Sequence, residues 1–367
     1  MARSSAENRS IRRRMPAEWE PHAATWLAWP HYKLDWPGKF EPIPWVYAEI
    51  IRYLSRVERV ELIVKDAAAE KVARKILQRA HALNENVRFH RWPTDRVWTR
   101  DSGCAFVWSC GADTPVRQEP LAAIKWRFNA WAKYPNWKRD EKTGSLMARA
   151  AGVAEIPAVF GRKRVVLEGG SIDVNGRGSL ITTQECLLSR VQQRNPGMKK
   201  EDYEKSFADY LGVSNVIWIG SGIVGDDTHG HVDDITRFVS PDTVVTCVEA
   251  DPASPNYEVL RDNMRCLRGA TTEDGKPLAT IDLPMPAPVY FEKRRLPASY
   301  ANFYIANCTV LVPVFNDPND RVALDIIADI FPDREVVGIY CGDLIWGFGA
   351  IHCMTQQQPA VSPDSSR

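Results

Sequence analysis

Residues Ser171 to Leu188 read SIDVNGRGSLITTQECLL, a short apolar run, a turn at Asn175-Gly176 and a returning apolar run. Asn-Gly is a strong hairpin signal, because both residues tolerate the positive φ that a tight turn demands. Two further stretches repeat the pattern. Asp234 to Glu249 reads DITRFVSPDTVVTCVE, turning at Pro241-Asp242, and Asn302 to Phe315 reads NFYIANCTVLVPVF. Their spacing of about sixty residues points to a repeated ββαβ-like unit within one domain.

Strands are expected outward from these hairpins at Ala24 to Trp29, Val60 to Val64, Val87 to Trp92, Ala105 to Trp108, Val165 to Leu167 and Asn215 to Ile219. Helix-period segments lie between strands at Pro44 to Arg56, Ala67 to Leu83, Lys199 to Leu211, Asn256 to Leu267 and Asn319 to Ile330. Asp66 and Asn319 stand where N-caps are expected. The alternation means α/β. No Gly/Ser linker divides the chain, so residues 15–359 read as a single domain of repeated modules. A flexible basic N-terminus (1–14) and a disordered tail (360–367) are expected on either side.

Lys plus Arg number 47 against 46 Asp plus Glu, a net charge of +1 that offers no footprint for nucleic acid or an anionic membrane. Apolar runs such as Cys308 to Phe315 are strand-length, far short of the roughly 20 residues a bilayer requires. Arg3, Arg9, Arg12, Arg13 and Arg14 are followed by no apolar stretch, so no secretory signal is expected and the protein reads as cytoplasmic. The 8 cysteines form no CxxC pair, which argues for reduced thiols and against a structural zinc site.

Polar residues gather beside tight turns in four places: Trp98 to Asp101 (WTRD), Leu167 to Gly170 (LEGG), Asp226 to Asp234 (DDTHGHVDD) and Gly347 to Cys353 (GFGAIHC). Taken singly, each has an ordinary explanation: a solvated turn for Glu168, a surface ion pair for Asp101, a polar strand edge for His229, His231 and Asp233. Together, a thiol, a histidine and three acids at strand ends suit a planar cation. A guanidinium presents five N–H donors and stays protonated, so carboxylates are its natural clamp. Breaking its C–N bond calls for a nucleophile such as a thiolate and a histidine to move protons.

The motifs WTRD, LEGGSI, GHVDD and IHCMTQQQP, with the opening MPAEWEPHAATWLAWP (Met15 to Pro30), resemble the agmatine deiminase and bacterial peptidylarginine deiminase family over roughly residues 15 to 359. The resemblance implies a five-bladed β/α propeller, the pentein fold, with a cofactor-free and metal-free site at its centre. It also implies a nucleophile at Cys353, a proton-transfer pair in His231 and Glu168, and a guanidinium clamp in Asp101 and Asp233. Trp98 matches an aromatic lining the substrate channel.

Departures from the family pattern bear on the far end of the substrate. Arg96 stands two residues before Trp98, where an acid is expected, and GDDTHGHVDD replaces DETNGHVDN. The expected reaction is hydrolysis of agmatine to N-carbamoylputrescine and ammonia, with Asp227 or Asp226 receiving the ammonium. Arg96 favours an alternative, arginine, a peptide-terminal arginine or another guanidino acid. Two rivals are a metal-dependent hydrolase using His229, His231 and Asp233, and an inactive binding module. The expected partner is a small cationic guanidino compound, with neither nucleic acid nor membrane; self-association is left open.

Overall fold

The computed structural model describes residues 12–110 and 120–360; the expected tail from residue 361 and the first eleven residues of the N-terminus lie outside them. The architecture is mixed α/β. Five sheets share one plan: an antiparallel pair, a helix, then a strand returning parallel to the second. Ala105–Cys110 and Leu121–Lys125 pair antiparallel, helix Thr143–Ala151 follows, and Ala154–Pro157 returns parallel. The same order runs through Ile172–Val174, Ser179–Thr183, helix Lys200–Leu211 and Asn215–Ile219. It recurs in Thr236–Ser240, Thr243–Val248, helix Tyr257–Arg268 and Ala279–Pro284. A further unit holds Tyr304–Ile305, Thr309–Val314, helix Asn319–Ile330 and Glu335–Tyr340.

The remaining unit joins distant parts of the chain. Gln356–Pro359 pairs antiparallel with His22–Ala28, which runs parallel to Arg59–Val64 after helix Ile43–Val57; Val87–Arg91 adds a parallel edge. That helix buries Val46, Tyr47, Ile50, Ile51 and Leu54, the i, i+3, i+4 stripe that lays one face on a sheet. Asp66 caps helix Ala67–Arg79 by accepting from the backbone of Ala69, as its position predicts. In the founding hairpin, Asn175 Oδ1 accepts from the N–H groups of Arg177, Gly178 and Ser179, and Gly176 takes φ 74°.

Three expectations are corrected. Val165 to Leu167 is not a strand; Val166 makes one isolated bridge to Arg127, because the chain is there turning toward Glu168. Asn319 is the first helical residue rather than the cap, and its side chain donates instead to the carbonyl of Met285. Arg12–Arg14, expected to be flexible, form a strand against Ala105–Cys110. Among the described residues no helix is long and apolar enough to cross a membrane.

Candidate active site

The turn entering the first strand of each unit carries the chemistry. Trp98 and Asp101 stand at the short helix Thr99–Ser102 before Ala105; Glu168 precedes the turn Gly169–Ser171 before Ile172. His231 and Asp233 flank the turn Val232–Asp234 before Thr236, and Cys353 lies just ahead of Gln356. These four turns converge, so residues that the chain keeps far apart become neighbours.

His231 is fully buried, its Nδ1 3.9 Å from Asp101 Oδ1 and its Nε2 3.8 Å from Glu168 Oε2, and neither nitrogen has a hydrogen-bond partner. Burial pushes its pKa down, but Asp101, Cys186 and Glu168 together outweigh that and hold it well above the ordinary imidazole range. Glu168 is buried too, and Arg194 Nε donates to both of its oxygens at 3.2 and 3.3 Å. Burial alone would raise this carboxyl; the Arg194 and His231 charges bring it below the usual value.

Asp101 accepts from Trp131 Nε1 at 2.8 Å and from the Gly170 N–H at 3.0 Å. Burial pushes it up to about 6, partly offset by His231 and reinforced by Asp233 and Glu168. Asp233 Oδ2 accepts from His352 Nδ1 at 2.7 Å, while its Oδ1 is buried without a partner. Cys353 Sγ accepts from Asn302 Nδ2 at 3.1 Å and lies 3.7 Å from Asp233 Oδ2. Burial, then the charges of Asp233, Asp234 and Asp101, push the thiol well above the ordinary range, so it is protonated until a cation arrives.

The glycines of the motifs have steric reasons. A Cβ on Gly170 would stand 2.5 Å from His231 Nδ1, and one on Gly349 would stand 2.7 Å from the Trp98 ring. Phe348 between two such glycines holds φ 64°, a left-handed conformation that bulky side chains rarely adopt.

A cavity of about 420 Å³ runs outward from Cys353, Asp101 and Trp98 past Trp131, Tyr134 and Phe348 to Tyr32, Asp35, Arg96 and Asp227. At this mouth Asp227 accepts from Lys133 Nζ (2.6 Å), Arg294 Nη2 (2.5 Å) and the Tyr134 hydroxyl. Arg96 pairs with Asp35 and lies over the Tyr134 ring at 4.1 Å. Asp35 Oδ2 remains buried without a partner, and burial raises that carboxyl to about 7 against the pull of Arg96.

Asp226 is corrected: its carboxylate accepts from the N–H groups of Thr228, Gly230 and His231, holding the loop, and it does not line the cavity. The His229-His231 pair does not act together either. His229 Nε2 lies 3.1 Å from Ser189 Oγ and its Nδ1 3.6 Å from Glu185, away from the His231 cluster. Ligand-type atoms do gather elsewhere, in the sets Glu168, Cys186, His231 and Asp233, Asp234, Cys353. Sequence reasoning missed Asn302, Arg194, Trp131 and Asp35. Asn302 had a signal: it precedes the first strand of its unit, the position that carries chemistry in the other four.

A family model described as Porphyromonas-type peptidyl-arginine deiminase matches residues 14–359. An agmatine deiminase of Pseudomonas aeruginosa (strain LESB58) is 34% identical over 370 residues, 95% of each chain. One of Ectopseudomonas mendocina is 32% identical, covering 94% of this chain and 95% of its own. Among solved structures, an agmatine deiminase of Enterococcus faecalis superposes with a TM-score of 0.85 at 30% identity, covering 95% of this chain and 96% of the other. An agmatine deiminase of C. jejuni gives 0.80 at 26% identity, covering 95% and 96%.

Proposed function

The chain belongs to the Porphyromonas-type peptidyl-arginine deiminase family, and on that premise we propose that it hydrolyses agmatine to N-carbamoylputrescine and ammonia. One observation carries the reading: the Cys353 thiol and the Asp101 carboxylate line one cavity, and directly behind them are buried the unpartnered His231 imidazole, Glu168 and Asp233. The relatives named agmatine deiminase supply the substrate.

In the mechanism, Asp101 and the free Oδ1 of Asp233 take the guanidinium N–H groups. The incoming positive charge offsets the acids that keep Cys353 protonated, and the thiol releases its proton to solvent as substrate binds, leaving the thiolate. It attacks the central carbon. The His231 imidazolium gives its proton to the departing nitrogen, which leaves as ammonia and a covalent thiouronium remains. Neutral His231, held beside Glu168, then takes a proton from water as the oxygen adds to the carbon. Cys353 leaves as thiolate and takes the proton of the new C–OH group, so the neutral ureido product is released and the thiol is restored.

We further propose that the five like sheets are the blades of a propeller around this site, within one domain of residues 15–359. The convergence of their entry turns supports that arrangement. The seven described free cysteines suit a reducing compartment such as the cytoplasm.

A second reading is favoured by the mouth, where Arg96, Lys133 and Arg294 face only Asp35 and Asp227. That excess of cations suits a guanidine bearing a carboxylate. Wild-type enzyme incubated with agmatine, arginine and 4-guanidinobutyrate, with ammonia and ureido product quantified, tests both. Agmatine as best substrate supports the first reading, a preference for the acids replaces it with the second, and no ammonia from any guanidine ends both. Turnover lost on chelation and regained with added metal would move support to the metal-dependent hydrolase.

A further inference from the structure

The opening Met15 to Pro30 and the histidine beside the nucleophile are sequence features that the mechanism above leaves unused. In the structure they meet. Glu18 is 7% exposed, yet it has a full set of charged partners. Its Oε1 accepts from Arg237 Nη2 and the Ile305 N–H, both at 2.9 Å. Its Oε2 accepts from Arg100 Nη2 at 3.0 Å and from His352 Nε2 at 2.8 Å. The other nitrogen of that ring, Nδ1, lies 2.7 Å from Asp233 Oδ2. One buried imidazole thus bridges two buried carboxylates.

An ionised carboxylate accepts hydrogen bonds and donates none, so a ring that serves both carboxylates does so by donating from both nitrogens. Burial opposes charge on Glu18 and Asp233, but Arg237, His352 and Arg100 keep the first ionised, and the His352 bond and charge keep the second so. Asp233 is held by one oxygen only. A carboxylate pinned at Oδ2 cannot rotate to fill both sites internally, and its Oδ1 stays without a partner.

We propose that Glu18 and His352 are positioning residues for the guanidinium clamp: Glu18 fixes the His352 imidazolium, and His352 pins Asp233 so that Oδ1 is presented to the substrate. The proposal rests on deimination at this site but not on agmatine being the substrate. Neither residue touches a reacting atom. The imidazolium also offsets the charge of Asp233 before the guanidinium arrives, so the empty clamp is not left as an uncompensated buried anion.

A purely structural role makes the opposite prediction in one comparison. Asparagine places an amide N–H near the position of Nδ1, whereas glutamine reaches toward that of Nε2. His352→Asn therefore keeps the contact to Asp233 and gives up Glu18; His352→Gln does the reverse. With the best guanidine as substrate, kcat/KM should fall about ten- to hundredfold in His352→Gln and His352→Ala. It should stay within about threefold of wild type in His352→Asn. Glutamine equal to or better than asparagine means that Glu18 is merely tying four segments together, and overturns the proposal. If His352→Ala does not fold, the asparagine–glutamine pair decides alone.

A readout free of activity separates this inference from the functional one. Nitrogen NMR of enzyme carrying labelled histidine should show one buried ring protonated at both nitrogens, whose Nδ1–H resonance moves in Asp233→Asn and whose Nε2–H resonance moves in Glu18→Gln. A neutral ring, or resonances indifferent to both substitutions, overturns the relay even if agmatine is turned over. An imidazolium coupled to both acids in an enzyme that deiminates nothing leaves the relay standing and removes the functional reading instead.

Discussion

Just behind the floor of the cavity, which Cys353 and Asp101 line, both nitrogens of His231 and Oδ1 of Asp233 are buried without partners, whereas at the mouth Asp227 accepts from Lys133, Tyr134 and Arg294 together. A buried polar atom left unpaired ordinarily costs about 1–3 kcal/mol; the floor carries that penalty at three atoms, and the mouth carries it at Asp35 Oδ2 and Arg96 Nε while Asp227 escapes it. The difference separates two tasks. Atoms that must bind or move protons during turnover are kept free, and the surrounding structure meets the cost. At the mouth Asp227 is already satisfied, and a ligand must exchange with what is there. Substitutions at the floor should therefore act on turnover, and substitutions at the mouth on which substrate is taken.

The contrast is broken outright if Cys353→Ala retains a sizeable fraction of wild-type kcat. The expected result is complete loss of ammonia release, with an unchanged melting temperature showing that the fold survives.

Asp101→Asn and Asp233→Asn keep shape and remove charge, so each should lose a charge-assisted bond of roughly 1.5–3 kcal/mol, about ten- to hundredfold in kcat/KM. Both grip one guanidinium, and the double variant should fall short of the product of the single losses. Steady-state kinetics on the four enzymes decide this; full additivity would mean that the two acids do not share a ligand.

The pH profile sharpens the comparison further. Asp101 binds the guanidinium only when ionised, and burial places its free-enzyme pKa at about 6. Below that pH the protonated fraction grows, so kcat/KM should drop about tenfold per unit, with its acid limb near 6 rather than near 4. An acid limb at the ordinary carboxylate value would show Asp101 to be better solvated than its burial implies.

The smallest effect belongs to the mouth. Arg96→Ala frees Asp35, and should lower KM for agmatine by about fivefold or less while raising it for 4-guanidinobutyrate, with kcat little changed. Equal KM changes for both compounds would mean that Arg96 does not sense the charge of the distal group.

Legibility in the sequence followed the same division. Cys353, His231, Glu168, Asp101 and Asp233 sit in short motifs beside turns, and the structure brings all five together. Hairpins and most helices were visible because their periodicity is local. Leu121–Lys125 was missed because LAAIK is alanine-rich and lacks strand character, although every residue of it is buried. Gln356–Gln358 carry no apolar pattern that would mark a strand, yet these side chains are buried: Gln357 accepts from Arg100, and Gln358 from the Trp26 indole. Arg194, Trp131 and Asn302 gain their roles through partners 26, 30 and 51 residues away, a relation that no local pattern records.

The pairing of Gln356–Pro359 with His22–Ala28 also has a consequence for the making of the protein. The Trp26–Gln358 bond spans 332 residues. At about 5–20 residues per second, a ribosome needs roughly 15 to 70 seconds between one partner and the other. Throughout that interval a strand of the nascent chain has an open edge, the kind of surface on which unfinished chains stick to one another. The thiol is translated just ahead of the segment that covers that edge. Assembly of the catalytic floor and completion of the final sheet are thus a single late event, and a stalled chain is both inactive and in need of a chaperone.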